Sequence, residues 1–314
     1  MSQFYLDHFG LLIRPFSILP DPNMIFWSDK HRKAFAVLEY GLMSRAPLTV
    51  VTGEVGAGKT TLIQALLQKV EDDMCIGLIS NARGDRGDLL RWILNAFDVP
   101  TPRDADYVLL FQTFQDFVLS EYGSGRLVVL IFDEAQNLGA DTLEELRMLT
   151  NINSGRDELL QLILLGQPEL RDIILRPELR QFAQRVSATF HLGSFDEAGT
   201  AAYIRHRLKQ AAGSGDEIDA AAAARIHAES RGVPRMINKI ADLALVYGAA
   251  ADVQVVTEAL VDEVIGDGLV LIAAAEPSSP PIGRRLALAH ESQPHDISAS
   301  DTLGHDKEVK RDLP

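Results

Sequence analysis

The run Leu48-Thr-Val-Val-Thr-Gly53-Glu54-Val55-Gly56-Ala57-Gly58-Lys59-Thr60-Thr61 constrains this chain more than any other stretch. Its β-branched apolar start predicts a buried strand, the glycines end that strand, and Leu62, Ala65, Leu66 and Val70 recur at helical spacing behind Lys59. The spacing of Gly53, Gly58, Lys59 and Thr60 fits GxxxxGK followed by Ser or Thr, and each position has a physical duty. Backbone N–H groups from Gly53 to Thr61 can curl around a β-phosphate, Lys59 can reach the β- and γ-oxygens, and the Thr60 hydroxyl can ligate Mg2+. The helix N-terminus behind them adds the positive end of its dipole. A turn whose lysine is merely solvated would need neither the strand before it nor the helix after it. The expectation is a nucleoside triphosphate site taking ATP and Mg2+.

A second landmark follows after a strand at Met74–Ile79 and two helices, one over Asp88–Phe97 and one over Ala105–Tyr122. The run Arg126-Leu-Val-Val-Leu-Ile-Phe-Asp133-Glu134 has the continuous apolar character of a parallel strand buried on both faces, and it ends in two acids. Beside the phosphate loop, Asp133 would complete the Mg2+ shell with Thr60, and Glu134 would polarise the attacking water. Asp141-Thr-Leu-Glu144 fits a capping box at the start of the next helix. The strand Leu159–Gly166 then ends at Gln167, either a contact that senses the γ-phosphate or a plain turn residue. A helix over Pro177–Arg185 leads into the strand Val186–Leu192. An arginine in that place either lies at a subunit edge, where Arg185 or else Arg180 would serve a neighbour's ATP, or makes a surface ion pair.

Four alanine-rich helices follow Asp196 with no strand pattern between them, which predicts a small all-helical module. In Gly232-Val-Pro-Arg235, proline at the first helical position sets a cation in the first turn, against the helix dipole. Arg235 therefore needs an anionic partner, and ATP phosphate suits it. The proline- and aromatic-rich residues 1–46 read as an irregular segment leading into a helix over Asp29–Met43, packed on the core. This segment either walls an adenine pocket or simply packs. The boundaries expected are 1–46 for that segment, 47–195 for the α/β core, 196–267 for the helical lid and 268–314 for a disordered tail.

Composition narrows the partners. The formal charge is −14, from 44 acidic against 30 basic residues, which repels a phosphate backbone and argues against a broad nucleic-acid surface. The N-terminus lacks a basic n-region, the longest late apolar run is too short to span a bilayer, and the single Cys75 forbids an intrachain disulfide. These features predict a cytoplasmic protein with no membrane span of its own. Cys75 reads as a small hydrophobe in a buried strand.

Taken together, Phe9-Gly-Leu, Pro15-Phe16, Pro20-Asp-Pro22, the Gly53 loop, Asp133-Glu-Ala-Gln-Asn-Leu138, Glu145-Leu-Arg-Met-Leu149, Leu165-Gly-Gln-Pro-Glu-Leu170, Gln184-Arg185 and Gly232-Val-Pro-Arg235 resemble the AAA+ ATPases of the general secretion pathway A type. They are most similar to those that accompany exosortase (PEP-CTERM) and exopolysaccharide loci. The resemblance implies a P-loop fold with a five-stranded parallel sheet in the order 5-1-4-3-2, a helical lid, and a homo-oligomer with ATP between protomers. It carries the Walker A role to Gly53 through Thr61, Walker B to Asp133 and Glu134, sensor 1 to Gln167, the arginine finger to Arg185 and sensor 2 to Arg235. Glutamine at sensor 1 departs from the usual asparagine or threonine. So does the lack of the transmembrane helix and peptidoglycan-binding domain of the secretion relatives, so membrane attachment would come through a partner. The function expected is an ATP-driven switch or motor of a secretion or surface-polysaccharide assembly. The alternative is a DNA-binding ATPase of the transposition type, against which the charge and the lack of an appended basic domain both weigh.

Overall fold

The computed structural model describes residues 3–19, 21–69, 73–80, 88–154 and 157–268. The expected tail lies outside the described residues beyond Gly268, as do Pro20 and Val70. Five parallel strands form the sheet: β1 Leu48–Gly53, β2 Met74–Ser80, β3 Leu127–Asp133, β4 Leu160–Gly166 and β5 Val186–Leu192. Their spatial order is β2-β3-β4-β1-β5, which is the order expected. Burial follows that order, since every residue of β1 and β4 is buried, whereas β5 at one edge alternates and β2 at the other is half exposed. Cys75, expected in a buried strand, therefore sits half-buried on the edge strand β2.

Helices cover both faces of the sheet, as continuous apolar strands require. Along β3, Val128, Leu130 and Phe132 point into one apolar cluster while Val129 and Ile131 point into the other. The first cluster holds α4 Leu89–Ala96, α5 Tyr107–Gly123 and α6 Ala140–Leu149; the second holds α2 Asp29–Met43 and α3 Lys59–Leu67. Phe114 and Val118, spaced one helical turn apart on α5, are fully buried there. The expected capping box fails because α6 starts earlier, with Gly139 as its N-cap; Asp141 falls inside the first turn and Glu144 instead accepts from Arg147 at 2.7 Å. Helix α7, Pro168–Ile174, follows β4, and the helix expected over Pro177–Arg185 is a 3-10 turn, Pro177–Leu179, joined to the short helix α8, Arg180–Arg185.

A third apolar cluster lies in the helical module α9 Glu197–Gln210, α10 Ala220–Ser230, α11 Pro234–Ala250 and α12 Glu258–Gly266. The N-terminal segment divides between this cluster and the sheet, which differs from an irregular segment packed wholly on the core. Gln3–Phe9 forms helix α1, whose Tyr5 and Phe9 are buried with the module's residues, and the Tyr5 hydroxyl donates to Asp242 of α11 at 2.8 Å. Arg14 also donates to the Asp242 carboxylate, so two N-terminal donors meet one buried acid. Within this segment it is α2, with Ile25 and Trp27 just before it, that packs on the sheet.

Sheet and lid meet through the short link after β5. The Phe195 N–H donates to the Gly232 carbonyl at 2.9 Å, and a Cβ at Gly232 would stand 2.0 Å from the Phe195 carbonyl oxygen. Glycine is required at that close approach.

Candidate active site

The carboxyl ends of β1, β3 and β4 face the lid across a cleft of ≈ 350 Å³. This is where open parallel sheets carry ligands, because the loops leaving adjacent strands diverge there. The phosphate loop forms one end. Gly58 is the N-cap of α3 at φ 102°, and no side chain caps the helix, so its first N–H groups face the cleft. Lys59 is 5% exposed and its ammonium donates to the carbonyls of Gly53 (2.7 Å) and Glu54 (3.1 Å). Burial pushes Lys59 below its ordinary value, and the charges of Glu134 and Asp133 offset part of that.

The two acids lie at the carboxyl end of β3, beside the phosphate loop. The Thr60 hydroxyl donates to Asp133 Oδ2 at 2.8 Å, and Asp133 Oδ1 accepts the N–H of Glu134 at 3.0 Å. A hydroxyl and a carboxylate side by side are hard oxygen donors that fit Mg2+ keeping most of its own waters. Glu134 itself adopts φ 58°, ψ 38°, a left-handed conformation that costs a non-glycine residue roughly 1 kcal/mol. That turn aims its side chain into the cleft rather than along the strand.

Two amides hold the Glu134 carboxylate. Gln136 Nε2 donates to Glu134 Oε2 at 2.5 Å, and Gln167 Nε2 donates to the same oxygen at 3.1 Å. The Gln167 N–H in turn donates to Gln136 Oε1 at 3.0 Å, which closes a three-residue ring. Burial raises the Glu134 pKa, but the two amides and the Lys59 charge outweigh it and hold the carboxyl below its ordinary range. The Asp133-Glu-Ala-Gln run gives Gln136 no role by sequence alone; its signal is a lone amide two residues beyond Glu134.

On the lid side, Arg235 is the second residue of α11, after Pro234 at the first helical position. Its N–H donates to the Gly56 carbonyl at 3.3 Å, and its side chain lines the cleft. Gly56 has φ 80°, and a Cβ there would lie 2.3 Å from Arg235 Cβ. At the far end the lining is largely apolar and aromatic, with Ile18, Leu19, Ile25, Phe26, Phe195 and Tyr203. His31, also missed by sequence reading, presses on the loop. Ser28 Oγ lies 2.8 Å from its Nδ1 and accepts its backbone N–H, which leaves Nε2–H to donate to the Ala57 carbonyl at 3.2 Å. Burial pushes its pKa down to about 4. A cleft with a charged end and an aromatic end has the chemistry to take an anionic group at one end and a flat ring at the other.

Arg185 is not brought to this cleft. Val186, next to it, pairs with Leu48 at the other end of β1, roughly 20 Å of strand away from Gly53. Its guanidinium donates to Thr150 Oγ1 at 3.5 Å and to Asn151 Oδ1 at the end of α6. Arg180, the alternative, is exposed at the start of the short helix that Arg185 ends.

Comparison with known proteins fits this geometry. Residues 42–174 match the AAA domain family, so an AAA domain is present. The chain is 40% identical over 246 residues to General secretion pathway protein A of Aeromonas hydrophila, a match covering 78% of this chain and 45% of that protein. The chain thus spans less than half the length of this relative. Among solved structures, the Aeropyrum pernix ORC2 protein is similar with a TM-score of 0.59 at 17% identity, over 78% of this chain and 68% of that one. Cdc6p of Pyrobaculum aerophilum has a TM-score of 0.60 at 15% identity, over 77% of this chain and 68% of that one. At such identities the likeness is one of fold. Among the described residues no helix is long and apolar enough to cross a membrane.

Proposed function

We propose that this chain binds ATP with Mg2+ in the cleft and hydrolyses it, as the energising or switching subunit of a secretion assembly. The observation that carries the reading is the 2.8 Å contact between Thr60 and Asp133, which joins the phosphate loop to the acid pair on the neighbouring side of the sheet. Neither the loop nor the acids alone would point to a hydrolase; their juxtaposition supports one.

In this reading the N–H groups of Gly53 to Thr61 hold the β-phosphate, and Lys59 and Arg235 hold the γ-phosphate from opposite sides. Thr60 and Asp133 would hold Mg2+, which neutralises the phosphate oxygens when bound. Glu134 orients water and takes its proton as the water oxygen closes on the γ-phosphorus and the bridging bond to the β-phosphate breaks, giving ADP and phosphate. Gln167 and Gln136 fix the carboxylate's direction until the γ-phosphate is in place. Arg185, turned away from its own cleft, supports a homo-oligomer in which it serves the neighbour's ATP.

The 40% identity to General secretion pathway protein A supports a place in a secretion machinery, on the cytoplasmic side, reached through a partner. The finer reading, an assembly of the exosortase or surface-polysaccharide kind, rests on the motif resemblance. The decisive experiment is Lys59→Ala measured by ATP titration. The substitution should abolish binding, and retained affinity would remove the phosphate-loop assignment.

A further inference from the structure

A buried cation outside the phosphate end is so far unexplained. Arg207 on α9 is 6% exposed, and among the described residues none of its hydrogen bonds reaches a carboxylate. Its guanidinium is spent on backbone carbonyls of the N-terminal segment: Pro15 at 2.5 Å, with Ser17 and Met24 at 3.5 Å. It also lies over the Tyr203 ring, 5.7 Å from the centroid. Asn238 on α11 does the same work from the other side. Its Nδ2 donates to the Ser17 carbonyl at 3.0 Å while its Oδ1 accepts from the Tyr203 hydroxyl at 2.8 Å.

Desolvating a guanidinium without a counter-charge is expensive, so its placement needs a reason beyond packing. The carbonyls it gathers adjoin Ile18 and Leu19 on one side and Ile25 and Phe26 on the other, residues of the apolar end of the cleft. We propose that Arg207 is a positioning residue for the nucleobase: with Asn238 it ties the N-terminal segment to the lid, so that the base end of the cleft exists only while lid and segment are docked. The inference rests on the nucleotide reading and concerns the base, since Arg207, although it lines the same cleft, spends its hydrogen bonds on Pro15, Ser17 and Met24 rather than on the phosphate loop. Affinity for the base and lid position then become one equilibrium.

The test compares ATP with inorganic tripolyphosphate, each with Mg2+, on the full chain. Arg207→Gln should weaken ATP about 10-fold and leave tripolyphosphate within about 2-fold, a split of about 1.4 kcal/mol. Arg207→Lys, which keeps the charge and one donor, should recover part of the ATP affinity. Should Arg207→Gln fail to fold, Asn238→Ala removes that residue's bonds to the Ser17 carbonyl and the Tyr203 hydroxyl while leaving Arg207 in place, and it should show the same split. Equal losses for both ligands, or no loss for either, would overturn the proposal. If the unchanged protein bound tripolyphosphate as tightly as ATP, the base would contribute nothing and the proposal would fall while the phosphate loop stood. If it bound neither, the nucleotide reading would fall first and take this one with it.

Discussion

Gly56→Ala tests the joint between phosphate loop and lid, and its size can be worked from the geometry. At φ 80° a side chain strains the backbone, at a cost of roughly 1–2 kcal/mol. The new Cβ would start 2.3 Å from Arg235 Cβ, against the ordinary contact of about 3.5 Å or more between carbons. The first turn of α11 must therefore retreat by about 1 Å, which stretches the 3.3 Å bond from Arg235 N–H to the Gly56 carbonyl beyond use. Loss of that bond adds about 1 kcal/mol. The strain falls on a loop whose ligand-holding shape is at stake, so about 2 kcal/mol or more should appear in nucleotide affinity, roughly a 30-fold rise in Kd. Titration calorimetry with ATP and Mg2+ gives the number, and a thermal melt without nucleotide separates local from global damage. An affinity within about 2-fold of the parent, with an unchanged melt, would refute the claim that loop and lid abut here.

Three further outcomes are expected. Glu134→Gln should bind ATP yet lose turnover by roughly 100-fold or more, read by phosphate release; unchanged turnover would reassign the base. Mixing Arg185→Ala with Glu134→Gln subunits should restore part of the ATPase rate, because each can complete a neighbour's site, and no recovery at any ratio would count against action in trans. His31 gives a pH signature: its folded pKa of about 4 lies below the ordinary 6.5, so the neutral ring stabilises the fold fully above pH 6.5 and loses that contribution as pH falls toward 4. The loss should reach about 3 kcal/mol, at about 1.4 kcal/mol per pH unit, and His31→Gln should flatten it in denaturant melts run from pH 7.5 to 4. Parallel profiles for the two proteins would exclude His31 as the source.

The parts legible in the sequence were those fixed by local spacing. The Asp133-Glu134 pair declares itself because it closes an apolar strand with acids, and Lys59 and Thr60 do so because the glycine spacing after β1 sets them at the start of α3. Pro234 likewise marks the start of α11 and so places Arg235. The contacts that escaped notice join residues with no local pattern. Arg207 and Pro15 are 192 positions apart, as Tyr5 and Asp242 are 237 apart, and neither pair leaves a period or motif in the chain. The Asp141 capping box misled because Gly139 can cap a helix with no side chain, so the start slid two residues upstream. Gln136 was in plain view, but only the fold of β4 beside β3 brings Gln167 near enough to make the pair a clamp.

The backbone bond between Phe195 and Gly232 has a mechanical consequence. Because that contact fastens the segment before α11 to the link leaving β5, the lid has almost no free hinge: only Gly193 and Ser194 separate the anchored strand from the fastened phenylalanine, and Lys30 grips the Ser194 carbonyl. Rotation of the lid must carry the Phe195 ring with it, so a swing that moves Arg235 against one end of a bound ligand also shifts the wall at the other end. Leverage of this kind transmits both displacements as one stroke.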